Sequence, residues 1–318
     1  MIPHFPLFAK LDLNHKNTLK QYVKKYRPYS DFDFVSLYSY NVRDQILISR
    51  LNKNIVIRFT DYLTAKSFYS FLGNKKVIPT IEALFQKSVS EKLPPILKLV
   101  PEENLLDTPS VYNKFKVNED PHNFDYILSL EQLSELKGKK YDDKRRFINR
   151  FKKKYPNLVV KPIKLKDKQF HPHLIKVFKT WAISKSKKES AIVHEFTALK
   201  RLLQSSNTIN TTSLLFLHNS NVVGFSISAI THHRHAIGHF MKADNNYKDI
   251  FTLILYQTAM HLKSQGCEYL NIEQDMGIDS LKKAKLSWQP THFLKKYTIS
   301  PKTQIDKPPE PKRTLVNF

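Results

Sequence analysis

The sequence predicts an α/β (α+β) protein of two domains, each a mostly antiparallel central sheet flanked by helices. Three observations predict it. The chain has 318 residues, which is comfortable for two domains. Its apolar fraction of 41% and aromatic fraction of 12% suit a globular protein that buries a core. Short β-rich runs alternate with apolar stripes at helical spacing, and a similar order of runs occurs in both halves.

In the first half, residues 14–26 carry Leu19, Tyr22, Val23 and Tyr26 at helical spacing, and Pro28 stops that helix. Ser30-Asp31-Phe32-Asp33-Phe34 is read as the opening of a strand region. Residues 45–51 and 54–59 are β-rich runs joined at Asn52-Lys53, a tight hairpin. Residues 65–72 form a further strand closed by Gly73. Thr80 is read as the cap of a helix carrying Ile81, Leu84, Phe85 and Val89, ended by Pro94-Pro95. Short apolar strands follow at 96–100 and 125–130.

Residues 131–155 form a second organising element. A helix starts at Glu131, Gly138 interrupts it, and it resumes from Tyr141 with Phe147, Ile148, Phe151 and Tyr155 as its apolar stripe. Lys139, Lys140, Lys144, Arg145, Arg146 and Arg150 surround that stripe, and only Asp142 and Asp143 offset them. The helix at 137–154 is therefore predicted to bind phosphates.

The second half continues with a strand at 158–164, helices at 169–185 and 191–203, and a meander of strands at 213–218, 222–230 and 235–243. A helix at 250–264 is closed by Gly266; then come a strand at 268–273, a short basic helix and a last strand at 293–299. The tail, 301–318, has Pro301, Pro308, Pro309 and Pro311 among charges and is expected to be mobile. Strand, two helices, three-strand meander, helix, strand, helix, strand is the order of the GNAT acyltransferase fold. The first half repeats helix, meander, helix, strand. The reading is two GNAT-like domains in tandem, 1–128 and 129–300.

Charge narrows the class of partner. The chain has 52 basic and 28 acidic side chains, a net charge of +24. That excess implies a polyanion: nucleic acid, a tRNA-borne substrate, or an anionic membrane touched peripherally. The single cysteine, Cys267, excludes an intramolecular disulfide and a cysteine-based zinc site. The N-terminal residues lack the regions of a signal peptide, and no segment approaches the roughly 20 apolar residues of a membrane span. A cytoplasmic location is expected.

The most chemically suggestive stretch is 271–290. Glu273 and Asp275 are two apart, so on an extended strand they share a face. Lys282 and Lys285 are three apart, on one side of the basic helix that follows. Acids at a strand end beside a cationic helix suit acyl or phosphoryl chemistry. His233, His235 and His239 would share a strand face, but spacing along one strand seldom gives tetrahedral zinc geometry, so no metal is expected. Nucleotide-phosphate loop and Ser nucleophile-elbow motifs are absent.

Three segments together resemble the family of phosphatidylglycerol lysyltransferase C-terminal-like domains. They are Ser30 to Tyr38; Gly138-Lys139-Lys140-Tyr141 through Lys144-Arg145 with Ile148-Asn149-Arg150-Phe151; and Asn271, Glu273, Asp275, Gly277, Leu281, Ala284-Lys285-Leu286-Ser287 and Pro290. The likeness spans roughly residues 5 to 298. It implies a tandem GNAT fold related to Fem-type and lipid aminoacyltransferases, which move an amino acid from aminoacyl-tRNA to a lipid headgroup or peptidoglycan precursor without metal or CoA. The chain departs from the family pattern at Met241, where an acid is expected, and at Asp249, near which a glycine is expected. Ile272 and Ser280 stand in place of an arginine and a glycine.

In a GNAT fold the acyl group lies where the fourth and fifth strands part, here 235–243 and 268–273. Asp275 is then the first candidate for the base or for the anchor of a substrate amine, and Glu273 the second. Lys285 and Lys242 are candidates to face a phosphate or oxyanion, and His239, Asn271 and Lys282 to bind substrate. The expected function is transfer of an amino acid from aminoacyl-tRNA to a lipid, peptide or small-molecule acceptor. One alternative is an acyl-CoA-dependent N-acyltransferase, disfavoured because 244–249 has two acids and no glycine where the pyrophosphate would sit. The other is a non-catalytic binder of RNA or anionic membrane.

Overall fold

The computed structural model describes residues 1–61, 64–184 and 189–302. They form two seven-stranded sheets flanked by helices, the architecture of tandem GNAT-like domains. The strands are β1 (Ala9–Lys10), β2 (Leu47–Leu51), β3 (Asn54–Thr60), β4 (Ser67–Leu72), β5 (Leu97–Pro101), β6 (Phe115–Glu119), β7 (Asp125–Ser129), β8 (Leu158–Ile163), β9 (Thr212–His218), β10 (Asn221–Ile230), β11 (His235–Ala243), β12 (Tyr269–Asn271), β13 (His292–Leu294) and β14 (Lys296–Pro301). The first sheet runs β1-β2-β3-β4-β5-β14-β6 and the second β13-β7-β12-β11-β10-β9-β8. All pairings are antiparallel except β4 with β5 and β11 with β12.

Local chemistry explains the hairpins. Asn52 and Lys53, at φ 53° and 66°, turn β2 into β3, and Asn219 and Ser220, at φ 48° and 64°, turn β9 into β10. Left-handed φ at both turn residues matches the right-handed twist of the flanking strands.

The helices are α1 (Lys16–Val23), α2 (Phe34–Ser39), α3 (Val77–Ser90), α4 (Ser110–Lys114), α5 (Leu130–Glu135), α6 (Asp142–Lys154), α7 (His171–Ile183), α8 (Glu189–Gln204), α9 (Ile250–Ser264) and α10 (Asp279–Leu286). The apolar helix α9 buries Leu253, Ile254, Ala259 and Leu262 and packs on β10 and β11 on one side and on α5 and α6 on the other. Among the described residues no helix is long and apolar enough to cross a membrane.

The structure corrects several expectations. Ser30–Phe32 is a 3-10 turn and the strand expected from residue 30 is α2 instead, because the Asp33 carboxylate accepts the Val35 amide at 2.9 Å and caps that helix. Thr80 lies inside α3, where its hydroxyl accepts from the buried Asn54 amide at 3.0 Å. The strand expected at 293–299 is two strands in different sheets, β13 and β14. The halves also interlock: β7 begins before residue 129 yet pairs in the second sheet, and β14 comes from the second half yet sits between β5 and β6 in the first. A boundary at 128/129 is thus crossed by both strands. The tail expected at 301–318 lies outside the described residues from 303 onward, and Pro301 closes β14.

A buried ion cluster sits where the interlocked strands meet. Lys296 is fully buried; its ammonium pairs with Asp125 at 2.7 Å and with Asp31, and reaches Gln274 at 3.4 Å. Asp125 also accepts the Ser30 amide and hydroxyl, each at 2.7 Å, and the Asn271 amide at 3.0 Å. Burial pulls the Lys296 ammonium down, but the two aspartates outweigh it and its pKa is raised. Removing one partner of such a cluster strands buried charge. Lys296→Ala is expected to cost about 3–5 kcal/mol in equilibrium denaturation; a loss under about 1 kcal/mol, typical of exposed pairs, would contradict this role.

Candidate active site

The site begins with an irregularity in β11. Phe240 pairs with Ile227 and Gly238 pairs with Ser228, which leaves His239 as an extra residue, a β-bulge. A bulge re-aims a side chain and bends its strand. Here it directs His239 to α2 and to the loop after β12. The parallel pairing of β11 with β12 covers only His235 to Ile237 against Tyr269 to Asn271. His239 therefore stands just beyond the point where the two strands part, the place expected for acyl chemistry.

His239 is buried between two carboxylates. Its Nδ1 lies 3.2 Å from Glu273 Oε1 and its Nε2 3.4 Å from Asp33 Oδ1. The Ser36 hydroxyl is 3.3 Å from Nδ1 and donates to Glu273 at 3.4 Å. Burial pulls the imidazole pKa down, but the Glu273 hydrogen bond and the charges of Asp33 and Glu273 outweigh it, so it is raised above its ordinary value. The His239 side chain is 1% exposed, whereas Asp33 and Glu273 are 17% and 23% exposed. Solvent thus meets the carboxylates, with the imidazole behind them.

The loop 271–277 holds Glu273 in place, and several expected site residues do that holding. Glu273 and Asp275 do not share a strand face, because β12 ends at Asn271 and Glu273 has φ 60°. The Asn271 side-chain NH2 donates to the Pro28 carbonyl and to Asp125, and its side-chain Oδ1 accepts the Glu273 backbone amide at 2.7 Å. Asp275 is 1% exposed and accepts from Tyr126 at 2.5 Å and from the Gly277 amide at 2.8 Å, so it organises the turn. The Lys285 ammonium donates to the carbonyls of Ile272, Glu273 and Gln274. An ammonium has three donors, and all three are engaged there. Burial depresses Lys285 to about 8. Lys282 is exposed on α10.

Lys242 belongs to a different layer. Its ammonium pairs with Glu195 of α8 at 2.6 Å and lies 3.9 Å from the Trp181 ring centroid of α7. His233 does not share a strand face with His239, since it has φ 53° in the turn before β11 and bonds the Lys24 carbonyl at 3.0 Å.

The basic helix divides in two. Lys144 is buried against Ser287 at 2.7 Å and lies 4.3 Å from the Trp288 ring, its pKa lowered by burial. Arg145 bonds the carbonyls of Leu136 and Gly138 and Asp142, and Arg150 pairs with Asp249. Lys139, Lys140, Arg146, Lys152, Lys153 and Lys154 remain exposed, Arg146 with Asp143 at 2.7 Å. Asp249 has φ 71° and stands at the N-terminus of α9, so a carboxylate paired to Arg150 occupies the end of the helix that follows β11.

Asp33 and Ser36 are site residues that the sequence pattern does not single out. The signal was present in Ser30 to Tyr38, a segment with two acids, but an alternation of Asp and Phe imitates a strand.

A family model described as phosphatidylglycerol lysyltransferase, C-terminal, matches residues 19–300. The chain belongs to this family. An uncharacterized protein of Mycoplasmoides gallisepticum (strain R(low / passage 15 / clone 2)) is 27% identical over 194 residues, covering 60% of this chain and 59% of that protein. The chain thus spans about three-fifths of that curated relative. A Bacteroides thetaiotaomicron protein of unknown function has a similar structure, with TM-score 0.82, 26% identity, and coverage of 95% of this chain and 100% of that one. The C-terminal domain of a putative lysylphosphatidylglycerol synthetase from Agrobacterium fabrum has TM-score 0.63 at 11% identity, covering 91% and 92%. FemX has TM-score 0.56 at 8% identity, covering 94% and 98%. The last two share the fold.

The raised His239 pKa has a measurable consequence. A group whose pKa is raised on folding contributes its stability in full below its unfolded value, about 6.5, and loses it as pH rises through the folded value. The stability difference between the wild type and Glu273→Gln is therefore expected to be largest in mild acid and to shrink as pH climbs above about 6.5. Urea midpoints across that range measure it, and a difference independent of pH would refute the pairing.

Proposed function

We propose that this protein moves an amino acid from aminoacyl-tRNA to a lipid, peptide or small-molecule acceptor, with Asp33 and Glu273 as its proton path and His239 positioning them. One observation carries the reading: in a chain of this family, a buried imidazole has a carboxylate at each nitrogen just where β11 and β12 part. The attacking amine or hydroxyl adds to the ester carbonyl and gives its proton to one of the partly exposed carboxylates. As the ester C–O bond breaks, the same row returns that proton to the departing ribose oxygen. His239 acts behind the carboxylates as a positioning residue. The transfer needs no metal and no CoA in this scheme.

Two features support the choice of donor. The exposed cations of α6, Lys152 to Lys154 with Lys139 and Lys140, suit a nucleic-acid backbone. Asp249 puts a carboxylate at the helix end where a CoA pyrophosphate would need backbone N–H groups and positive charge. Asp275 and Lys285 become supports of the loop in this reading, and Glu273 takes the role first given to Asp275.

Incubation with charged tRNAs and, separately, with acetyl-CoA, followed by mass spectrometry of the donor, tests the reaction. Loss of the aminoacyl ester from tRNA is expected; turnover of acetyl-CoA alone would overturn the reading, and turnover of neither would favour a binding module. Asp33→Asn, which keeps a capping side chain, and Glu273→Gln are each expected to lower turnover about 10²–10⁴-fold. Asp275→Asn is expected to lower stability more than turnover. Full activity in both carboxylate variants would remove the proposed proton path.

A further inference from the structure

The turn between β10 and β11 carries His232, His233 and His235, and it packs on the chain that leaves α1. Left-handed φ at His233 (53°) and Arg234 (57°) gives the turn its shape. That shape aims Nε2 of His232 at the Tyr26 carbonyl, 2.6 Å away, and Nε2 of His233 at the Lys24 carbonyl, 3.0 Å away. Both carbonyls lie at or just past the C-terminal end of α1, where a helix leaves acceptors unpaired. Nδ1 of His235 bonds the His233 carbonyl at 2.6 Å. A carbonyl only accepts, so each of these nitrogens carries a proton. A second proton on any ring must go to its other nitrogen and makes the ring a cation.

The rings lie close together. His232 and His233 meet edge to face with centroids 4.7 Å apart. His235 stacks on Tyr269 at 4.8 Å, and His292 meets the same Tyr269 ring at 5.9 Å. Burial, with His233 and His235 beside it, holds the His232 pKa below its ordinary value, against the pull of the Tyr26 carbonyl and of Asp33. Burial, with His292 and His233, lowers His235 against the His233 carbonyl and Glu268. Burial and the Arg27 charge lower His292. The turn thus packs on the α1 segment with its rings neutral, and each added proton places like charge inside the cluster. The segment it holds leads to the candidate site. From Lys24 the chain runs through Arg27 to Asp33, and Lys24, Arg27, Asp33 and His232 all line one cavity of about 290 Å³.

We propose that the histidine turn is an acid-sensitive latch: with neutral imidazoles it fastens residues 24–33 to the second sheet, and protonation in mild acid loosens that segment and Asp33 with it. A histidine whose pKa is lowered on folding contributes stability that is full above its unfolded value, about 6.5, and is lost as pH falls through the folded value. His239, with its raised pKa, runs in the opposite direction, so the two effects are separable by pH. The latch is a property of the fold and stands without the transfer reading.

Hydrogen exchange of the full chain at about pH 7.5 and about pH 5.5, either side of the unfolded histidine value, tests the latch when expressed as protection factors. The amides of Tyr29 and Phe32, bonded to the carbonyls of Arg27 and Tyr29, report on the segment. They are expected to lose about tenfold or more of their protection in acid, while amides in the middle of α9 stay within about twofold. His232→Gln/His233→Gln/His235→Asn keeps an N–H donor for each carbonyl and removes the titration, so its segment is expected to be equally protected at both pH values. His232→Gln alone is expected to shrink the acid loss. His232→Leu removes the donor, and its segment is expected to exchange at the higher pH as the wild type does in acid. Equal protection of the wild type at both pH values overturns the latch, as does an undiminished acid loss in the Gln variants. A loss spread evenly over both sheets also overturns it, because that is global acid unfolding.

Discussion

Lys296 occupies the position on which the rest of the structure turns. A fully buried ammonium must find an acceptor for each of its donors or be lost to desolvation. It finds Asp125 at the start of β7, Asp31 in the turn before α2, and Gln274 in the loop after β12. These three segments are distant in sequence and come from both halves. The cluster therefore works as a registration device: the first sheet accepts β14, the second accepts β7, and the loop carrying Glu273 is fixed between them. Asp31 bears the cost, its pKa raised by burial and by the charge of Asp125 against the opposing pull of Lys296.

The same logic continues outward to the chemistry. Asn271 joins the cluster to the loop, because one side chain bonds both Asp125 and the Glu273 amide. Lys285 collects three loop carbonyls and Asp275 closes the turn, so residues that look catalytic as a linear motif are mostly scaffolding. Preorganisation of this kind is what a site needs when its chemistry depends on the placement of a carboxylate. The partly exposed groups beside His239, Asp33 and Glu273, come one from each half.

Local sequence signals were sufficient for much of this. Two-residue turns at Asn52-Lys53 and Asn219-Ser220, the apolar stripe of α6 and the run of α9 are short-range patterns, and the order of elements they give leads to the tandem fold. Long-range pairing was not legible: nothing within residues 293–299 says that Lys295 separates a strand of one sheet from a strand of the other. The site was legible in neighbourhood and not in detail. His239 and Glu273 were named, but a left-handed φ at Glu273, without a glycine to announce it, moved that side chain away from Asp275. Asp33 was hidden by an alternation that imitates a strand while the residue serves as a helix cap. Charge counting likewise identified a cationic helix and could not show that Lys144, Arg145 and Arg150 are spent on internal partners.

The buried cluster around Lys296 fixes the Glu273 loop beside His239. Hydrogen exchange at the Glu273 amide, compared between the wild type and Lys296→Met under conditions where both are folded, addresses it directly. This amide is expected to lose protection in the variant while amides in the middle of α9 keep theirs. Unchanged protection at Glu273, or a loss spread evenly over both sheets, would contradict it.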